Sequence, residues 1–455
     1  MVAERAGGKR GSPKRRGRLS RRDFLRLSGA GLAGATLLSV AGCGGGVGQS
    51  GGVTNLVFSF APDPSGATTD VVNRFNEEYD GEIQVEYREM PADTGAYFNQ
   101  IRTEFQAGAS PIDVIGGDVT WPAQLAANGW ILDLSDRFTK DIRGDFVDAA
   151  VQSVLYQDKV WGVPWFTDAG LLYYRQDLLE ESGFSEPPQT WEELKEIATK
   201  TSRDSGTEFG FVFQGSEYEG AVVDALEYIW TSGGEVLTDQ GRRVVVDEPA
   251  PIEGIATERS MIEEGVSPVA VVTYKEPETH TTFLSGSAVT CRNWPYMYGL
   301  LQDPAQSQIT PEQVGIAPLP YNEGGQSYSG LGGWNMYVNA ASEDKLDAAW
   351  KFIRFLTIDT EQQRYRALNG GFLPVVQSLY EDQEILDNVP VVGLAREALG
   401  NARTRPISPF YSDMSLVMQE QFAQALKGNV TPEEAAQNLQ REMSNLIDLG
   451  EQLIL

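Results

Sequence analysis

The chain has 455 residues and a formal net charge of −28, from 36 Lys and Arg against 64 Asp and Glu. With 41% hydrophobic and 22% charged residues it has a globular composition, and it is long enough to bury a sizeable core without disulfide staples. The acidic balance excludes the basic face that nucleic-acid binding needs. A single histidine, His280, and two cysteines, Cys43 and Cys291, exclude three-His metal sites and Cys/His zinc clusters.

Charge is unevenly placed along the chain. Residues 1–42 carry ten basic side chains and two acidic ones, leaving 26 basic and 62 acidic residues, a net of −36, in the remainder. The head reads as an address. Arg21-Arg22 precede a mildly apolar stretch, 27–40, which is too short and too rich in Gly and Ala for a membrane-spanning helix. The pattern resembles a twin-arginine export signal, and Val40-Ala41-Gly42-Cys43 resembles a bacterial lipobox in which Cys43 is lipidated. Residues 1–42 are therefore expected to be a lipoprotein signal peptide and 43–52 a Gly-rich tether. Gly29-Ala30-Gly31-Leu32-Ala33-Gly34 matches the dinucleotide fingerprint, but no strand precedes it and it lies within the signal. With Cys43 lipidated, Cys291 has no partner and is expected to be a buried small hydrophobe.

From residue 53 short apolar runs alternate with helical patterns. Strands are predicted over 55–60, 83–87 and 112–116, with helices over 68–79 and 94–107 between them. The pattern continues with a strand over 170–174, helices over 177–182 and from 191, a strand over 209–213 and a helix over 219–232. Thr190 and Glu193 form a capping box for the helix at Trp191. The stretch 344–357 is amphipathic, with Leu346, Trp350 and Ile353 on one stripe, and Ser342 reads as its cap rather than as the nucleophile of an S-x-x-K motif. The chain from 415 to the end is helical, with Thr431-Pro432-Glu433-Glu434 supplying a cap, a Pro at the first position and a Glu at the third. Such alternation predicts βαβ units and an α/β fold of two lobes, each a mostly parallel sheet flanked by helices. In open α/β sheets the ligand crevice lies beyond the strands' carboxyl ends.

There is no G-x-S-x-G, H-E-x-x-H or P-loop motif. Acidic residues are numerous enough to leave a carboxylate pair for glycoside hydrolysis open. The informative signal is a set of carboxylates, aromatics and arginines at strand ends and in Gly/Pro-marked loops. It comprises Asp118 before Trp121, Phe166 and Asp168 after Pro164, Trp294 and Tyr296 around Pro295, Gly333-Trp334, and Arg403, Arg405 and Tyr411. Sugars require these types: carboxylates and guanidinium forks pair with adjacent hydroxyls, and an aromatic face covers the C–H face of a pyranose. Core packing is the competing role for each tryptophan.

The motifs Gly117-Asp118-Val119-Thr120-Trp121, Gly129-Trp130-Ile131-Leu132-Asp133-Leu134, Val163-Pro164-Trp165-Phe166-Thr167-Asp168-Ala169-Gly170, Asn293-Trp294-Pro295-Tyr296, Gly330-Leu331-Gly332-Gly333-Trp334 and Arg405-Pro406 with Tyr411-Ser412-Asp413 span the body in order. Together they resemble extracellular solute-binding proteins of bacterial ABC sugar importers, of the trehalose/maltose-binding type. The resemblance implies a two-lobed periplasmic-binding-protein-like fold of type II. Lobe 1 would be 53–163 plus about 336–371, and lobe 2 would be 164–335 plus about 372–455, with crossovers near 163–166, 331–336 and 370–374. It implies that Asp118 and Asp168 accept sugar hydroxyls, Arg405 donates to them, Trp294, Tyr296 and Trp334 border the rings, and Gly333 admits the ligand to the backbone. Phe166 stands where the family often has Tyr. Asp63 replaces a Glu in the first loop, and Arg88 is a further candidate donor. The implied ligand is a di- or oligosaccharide, and the implied partners are an ABC permease and, through Cys43, the membrane. No cofactor, metal or nucleic acid is expected, and the protein is expected to be a monomer, not an enzyme. The same fold with a peptide, polyamine or charged solute as cargo stays open, as does a secreted glycoside hydrolase.

Overall fold

The computed structural model describes residues 52–454 apart from Pro64, Ala109, Asp239 and Gln240. Residues 1–51, which hold the expected signal peptide, Cys43 and nearly all of the expected tether, lie outside the described residues.

The body alternates strands and helices: β1 (Thr54–Phe60), α1 (Ala67–Glu78), β2 (Ile83–Glu89), α2 (Thr94–Gln106), β3 (Val114–Asp118), β4 (Val163–Ala169), β5 (Leu171–Arg175), α3 (Trp191–Ser205), β6 (Phe209–Val212), α4 (Glu219–Thr231) and α5 (Pro249–Glu263). There follow β7 (Ala288–Asn293), β8 (Val314–Ala317), β9 (Ser329–Val338), α6 (Leu346–Thr357), α7 (Thr360–Gly370), β10 (Ala402–Arg403), α8 (Tyr411–Leu426) and α9 (Pro432–Ile454). Two main sheets result. The first runs β10-β9-β3-β1-β2, with β4 also paired to β9, and the second runs β8-β5-β7-β6.

Both sheets are mixed. Helical crossovers make β1–β2, β1–β3 and β7–β6 parallel, whereas β9 runs antiparallel to β3 and β4, and β5 antiparallel to β7 and β8. Those antiparallel partners are strands far apart in the chain, so the short-range alternation that signals βαβ units does not report them.

Local chemistry explains several boundaries. Thr190 Oγ1 accepts from Glu193 N while the Glu193 carboxylate accepts from Thr190 N, closing the capping box of α3. Thr431 and Glu434 do the same for α9, with Pro432 at its first position. Strand β3 begins two residues later than expected, because Ile112 and Asp113 are used otherwise. The buried Asp113 carboxylate accepts from Val57 N on β1, from Ser342 Oγ at 2.6 Å and from Lys345 Nζ at 2.9 Å. Ser342 therefore caps nothing; Asn339 caps the short 3-10 turn before α6, and the S-x-x-K pair serves one carboxylate.

Segment 163–169 is a full strand, not a loop. Pro164 is tolerated there because the β4–β9 ladder shifts register between Trp334 and Asn335, the place in a sheet where a missing N–H costs least. Helix α4 is buried almost all round, Asp224 and Glu227 included, and packs between α5 and α8. Cys291 is a free, buried thiol.

Replacing Asp113 by Ala strands a backbone N–H, a hydroxyl and a lysine, so the variant is expected to lose roughly 3 kcal/mol of stability. Chemical denaturation checks this; a loss within the scatter of surface substitutions would contradict the assignment.

Candidate functional site

Strand β9 assembles the site. Trp334 lies opposite Asp118 on β3 on one side and opposite Phe166 on β4 on the other, and Gly332 lies opposite Asp168. Phe166 and Asp168, two residues apart on a strand, project to one face. The half-buried Trp334 ring packs edge-on to Phe60 and Trp121 and stacks on Tyr97.

Two glycines of β9 are required by close approach. A Cβ on Gly332 would sit 2.9 Å from both Asp168 Cβ and the Trp294 ring. Gly333 has φ +111°, and a Cβ there would come within 2.4 Å of the Phe166 carbonyl oxygen. The absence of a side chain at Gly332 is what lets Trp294, from the loop after β7, reach the face bearing Asp168, and that at Gly333 lets β9 pass the Phe166 backbone.

Arg405 bridges two carboxylates from distant elements. It donates to Asp118 Oδ1 at 2.8 Å and to Glu219 Oε1 at 2.6 Å, and its side chain is only 3% exposed. The two acids hold its guanidinium well above its ordinary range against the opposing effect of burial. Asp118 Oδ1 also accepts from Thr120 N and Oγ1. Glu219, in the first turn of α4, accepts further hydrogen bonds from Tyr411 and Ser415 on α8. Removal of one member of such a buried cluster leaves uncompensated charge, typically a loss of about 3–5 kcal/mol.

Trp294 rests on a second buried cluster. The Arg292 guanidinium lies 4.1 Å from the Trp294 ring centroid and is held by Glu227 at 2.6 and 2.8 Å, by Asp224 at 3.1 Å and by the Gln214 side-chain oxygen at 3.1 Å. Glu227 also accepts from Gly330 N at the start of β9. Tyr296 is half-buried and shares a 2.9 Å hydrogen bond with His280 Nδ1, and Gly371 passes close to its backbone.

The remaining candidates fall elsewhere. Arg88 forms a two-pronged pair with Glu104, at 2.7 and 3.1 Å, which occupies its fork. Asp63 organises its own turn, accepting from Ser65 N and Oγ and from Thr68 N. Sequence reasoning missed Glu219, Arg292 with its acids, and Arg366 on α7. Glu219 had one available signal, its position at a helix start after Tyr218; the others depend on long-range pairing. Among the described residues no group of three or more His, Cys, Asp or Glu could hold a metal, and no helix is long and apolar enough to cross a membrane.

Residues 61–363 match the bacterial extracellular solute-binding protein family. The chain belongs to that family. A relative from Deinococcus radiodurans named "Probable ABC transporter-binding protein" is 34% identical over 352 residues, 76% of this chain and 82% of the relative. A maltotriose-binding protein of Pyrococcus abyssi is 26% identical over 314 residues, 68% of this chain and 64% of the relative. Among solved structures, maltose-bound MalE3 of T. maritima superposes with a TM-score of 0.80 at 36% identity, covering 87% of this chain and all of that one. Membership makes the chain a two-lobed extracellular solute-binding protein rather than an enzyme.

A solute-binding protein holds its cargo by complementary polar groups, so the state of Asp168 matters. Burial pushes its carboxyl up to about 8, with Arg366 and Arg292 pulling it back. The folded protein therefore keeps a proton that the unfolded chain releases near 3.8. Stability contributed by this group is full below the unfolded value and falls as pH rises toward 8. Asp168→Asn removes that dependence. Its melting temperature is expected to gain on the wild type progressively between pH 5 and pH 8; parallel curves across that range would contradict the assignment.

Proposed function

We propose that this protein captures an extracellular di- or oligosaccharide of the maltose or trehalose kind and delivers it to an ABC permease. The observation that carries this reading is the juxtaposition on β9: the Trp294 ring beside Asp168 on one flank, and Asp118 with the Arg405 fork, opposite Trp334, on the other. Aromatic faces for C–H surfaces beside carboxylate and guanidinium groups for hydroxyls suit a pyranose. Maltose in the related MalE3 structure and maltotriose in the name of the Pyrococcus relative support the same class. In this reading Asp118, Asp168, Phe166, Trp294, Tyr296, Gly333, Trp334 and Arg405 line the ligand site.

The lobes divide as 53–163 plus about 336–371 and 164–335 plus about 372–455, and the crossovers act as hinges. Thr167 N donates to Leu373 O at 3.1 Å, and Gly333 lies opposite Thr167. The adjacency of these segments supports a common hinge. Export follows the twin-arginine route, Cys43 carries the lipid that holds the protein at the outer face of the membrane, and the body works as a monomer. Capture from dilute medium at micromolar affinity corresponds to about −8 kcal/mol, which a few charge-assisted hydrogen bonds and stacked rings supply after ordering costs.

A thermal-shift panel with trehalose, maltose, sucrose, glucose, a short maltodextrin, a peptide and spermidine tests the reading. Binding to the native state raises the melting temperature by mass action. A rise with a di- or oligosaccharide, recovered chemically intact, is expected. A response to peptide or spermidine alone would overturn the sugar assignment, and a hydrolysed sugar would overturn the transport role. Trp294→Ala is expected to weaken sugar binding by roughly tenfold or more, about 1.4 kcal/mol, while the ligand-free protein stays folded; unchanged affinity would remove Trp294 from the site.

A further inference from the structure

Arg366 is treated unlike every other buried arginine described above. The residue is 1% exposed, and its Nε, Nη1 and Nη2 have no hydrogen-bond partner in the protein. The guanidinium lies between aromatic faces, 3.9 Å from the Trp165 ring centroid, 4.1 Å from Phe372 and 4.8 Å from Phe166. Stacked in this way it keeps its N–H edge unused.

Two carboxylates act on it without pairing with it. Asp63 and Asp168 both exert a Coulombic pull on Arg366, yet neither approaches to ion-pair distance. Asp63 is spent on its own turn. The Asp168 carboxyl makes no hydrogen bond within the described residues. Burial lowers the Arg366 guanidinium to about 9 and raises the Asp168 carboxyl to about 8, so each group is destabilised in its charged form in the ligand-free protein.

The helix that carries it is also fixed in place. Gln363, three residues earlier on the inner face of α7, donates to Trp165 O at 2.7 Å and Leu356 O at 2.9 Å, and accepts from Val375 N at 3.1 Å. These bonds pin α7 to β4 and to the segment after Phe372. A buried, fully unpartnered guanidinium held in place at the flank of a binding face is costly to fold. That cost is explicable when a ligand supplies the missing acceptors.

Resting on the sugar-binding reading, we propose that Arg366 is a ligand-binding residue that donates to one of two adjacent hydroxyls of a second sugar ring while Asp168 accepts from the other. Asp118 with Arg405 lies on one flank of β9, and Asp168 with Arg366 on the other. Two strand spacings separate β3 from β4, roughly 10 Å, a span suited to two linked pyranose units. Each ring then meets one carboxylate and one guanidinium, with aromatic surface between the pairs. The guanidinium donates to hydroxyl oxygens, and Asp168 receives a hydroxyl hydrogen or, when protonated, donates its own.

The test compares the wild type, Arg366→Met and Arg366→Lys by calorimetric titration with maltose, maltotriose and glucose, alongside ligand-free melting temperatures. Met keeps the apolar packing against Trp165 and Phe372 and removes the unpartnered charge. The expected result for Arg366→Met is a melting temperature equal to or above the wild type with affinity for the disaccharide at least tenfold weaker. Arg366→Lys should restore part of the affinity. Unchanged affinity in Arg366→Met, or a fall of melting temperature and affinity together, would assign Arg366 to structure and overturn the proposal. Wild-type binding of sugar in either case leaves the broader reading standing. A wild type that binds none of these sugars or the others of the thermal-shift panel overturns both.

Discussion

Strand β9 is the constraint on which the binding face depends. It is the one strand that pairs with β3, β4 and β10, and these carry or immediately precede Asp118, Phe166 with Asp168, and Arg405. Its Gly332-Gly333 pair removes side-chain bulk where Trp294 and the Phe166 backbone come closest, and the register shift after Trp334 accommodates Pro164 on the neighbouring strand. A rigid strand thus places the candidate recognition groups, which suits a protein whose affinity depends on preorganised polar contacts.

Buried charge is handled in two ways around this strand. Arg405 and Arg292 are each satisfied by two acids, and both clusters draw on helix α4 through Glu219, Asp224 and Glu227. Those clusters tie α4 to α8, to β7 and to the start of β9. Held in this way they act as supports that orient Asp118 and the Trp294 ring, with Arg405 Nε left without a hydrogen-bond partner. Arg366 and Asp168 are left without hydrogen-bond or ion-pair partners on the opposite flank, the arrangement on which the proposal for Arg366 rests.

Much of the architecture was legible in the sequence because it rests on short-range signals. The Thr190–Glu193 and Thr431–Glu434 capping boxes, the alternation from 54 to 118 and the apolar stripe of α6 are all local. Helix α7 gave no such signal: its buried positions are Gln362, Gln363, Arg366 and Ala367, so its inner face is polar and hydrophobic periodicity is silent. Strand β4 was obscured by Pro164, whose tolerance depends on a bulge set by β9. Residue types suited to sugars marked Asp118, Asp168, Trp294 and Arg405 as candidates. Residue type alone did not separate Arg88 and Asp63, which the fold commits to Glu104 and to a local turn, from the residues that gather on β9. Glu219 acquires meaning through Arg405, 186 residues away in the chain, and Arg366 through Trp165, brought against it from a distant strand.

A crystal structure of the protein grown with maltose or a short maltodextrin tests the central claim most directly. The account predicts one sugar ring against Trp294 with hydroxyls in hydrogen-bond reach of Asp168, and a linked ring reaching toward Asp118 and Arg405 across β9. A sugar bound elsewhere on the molecule, or one that touches neither Trp294 nor either aspartate, would contradict it.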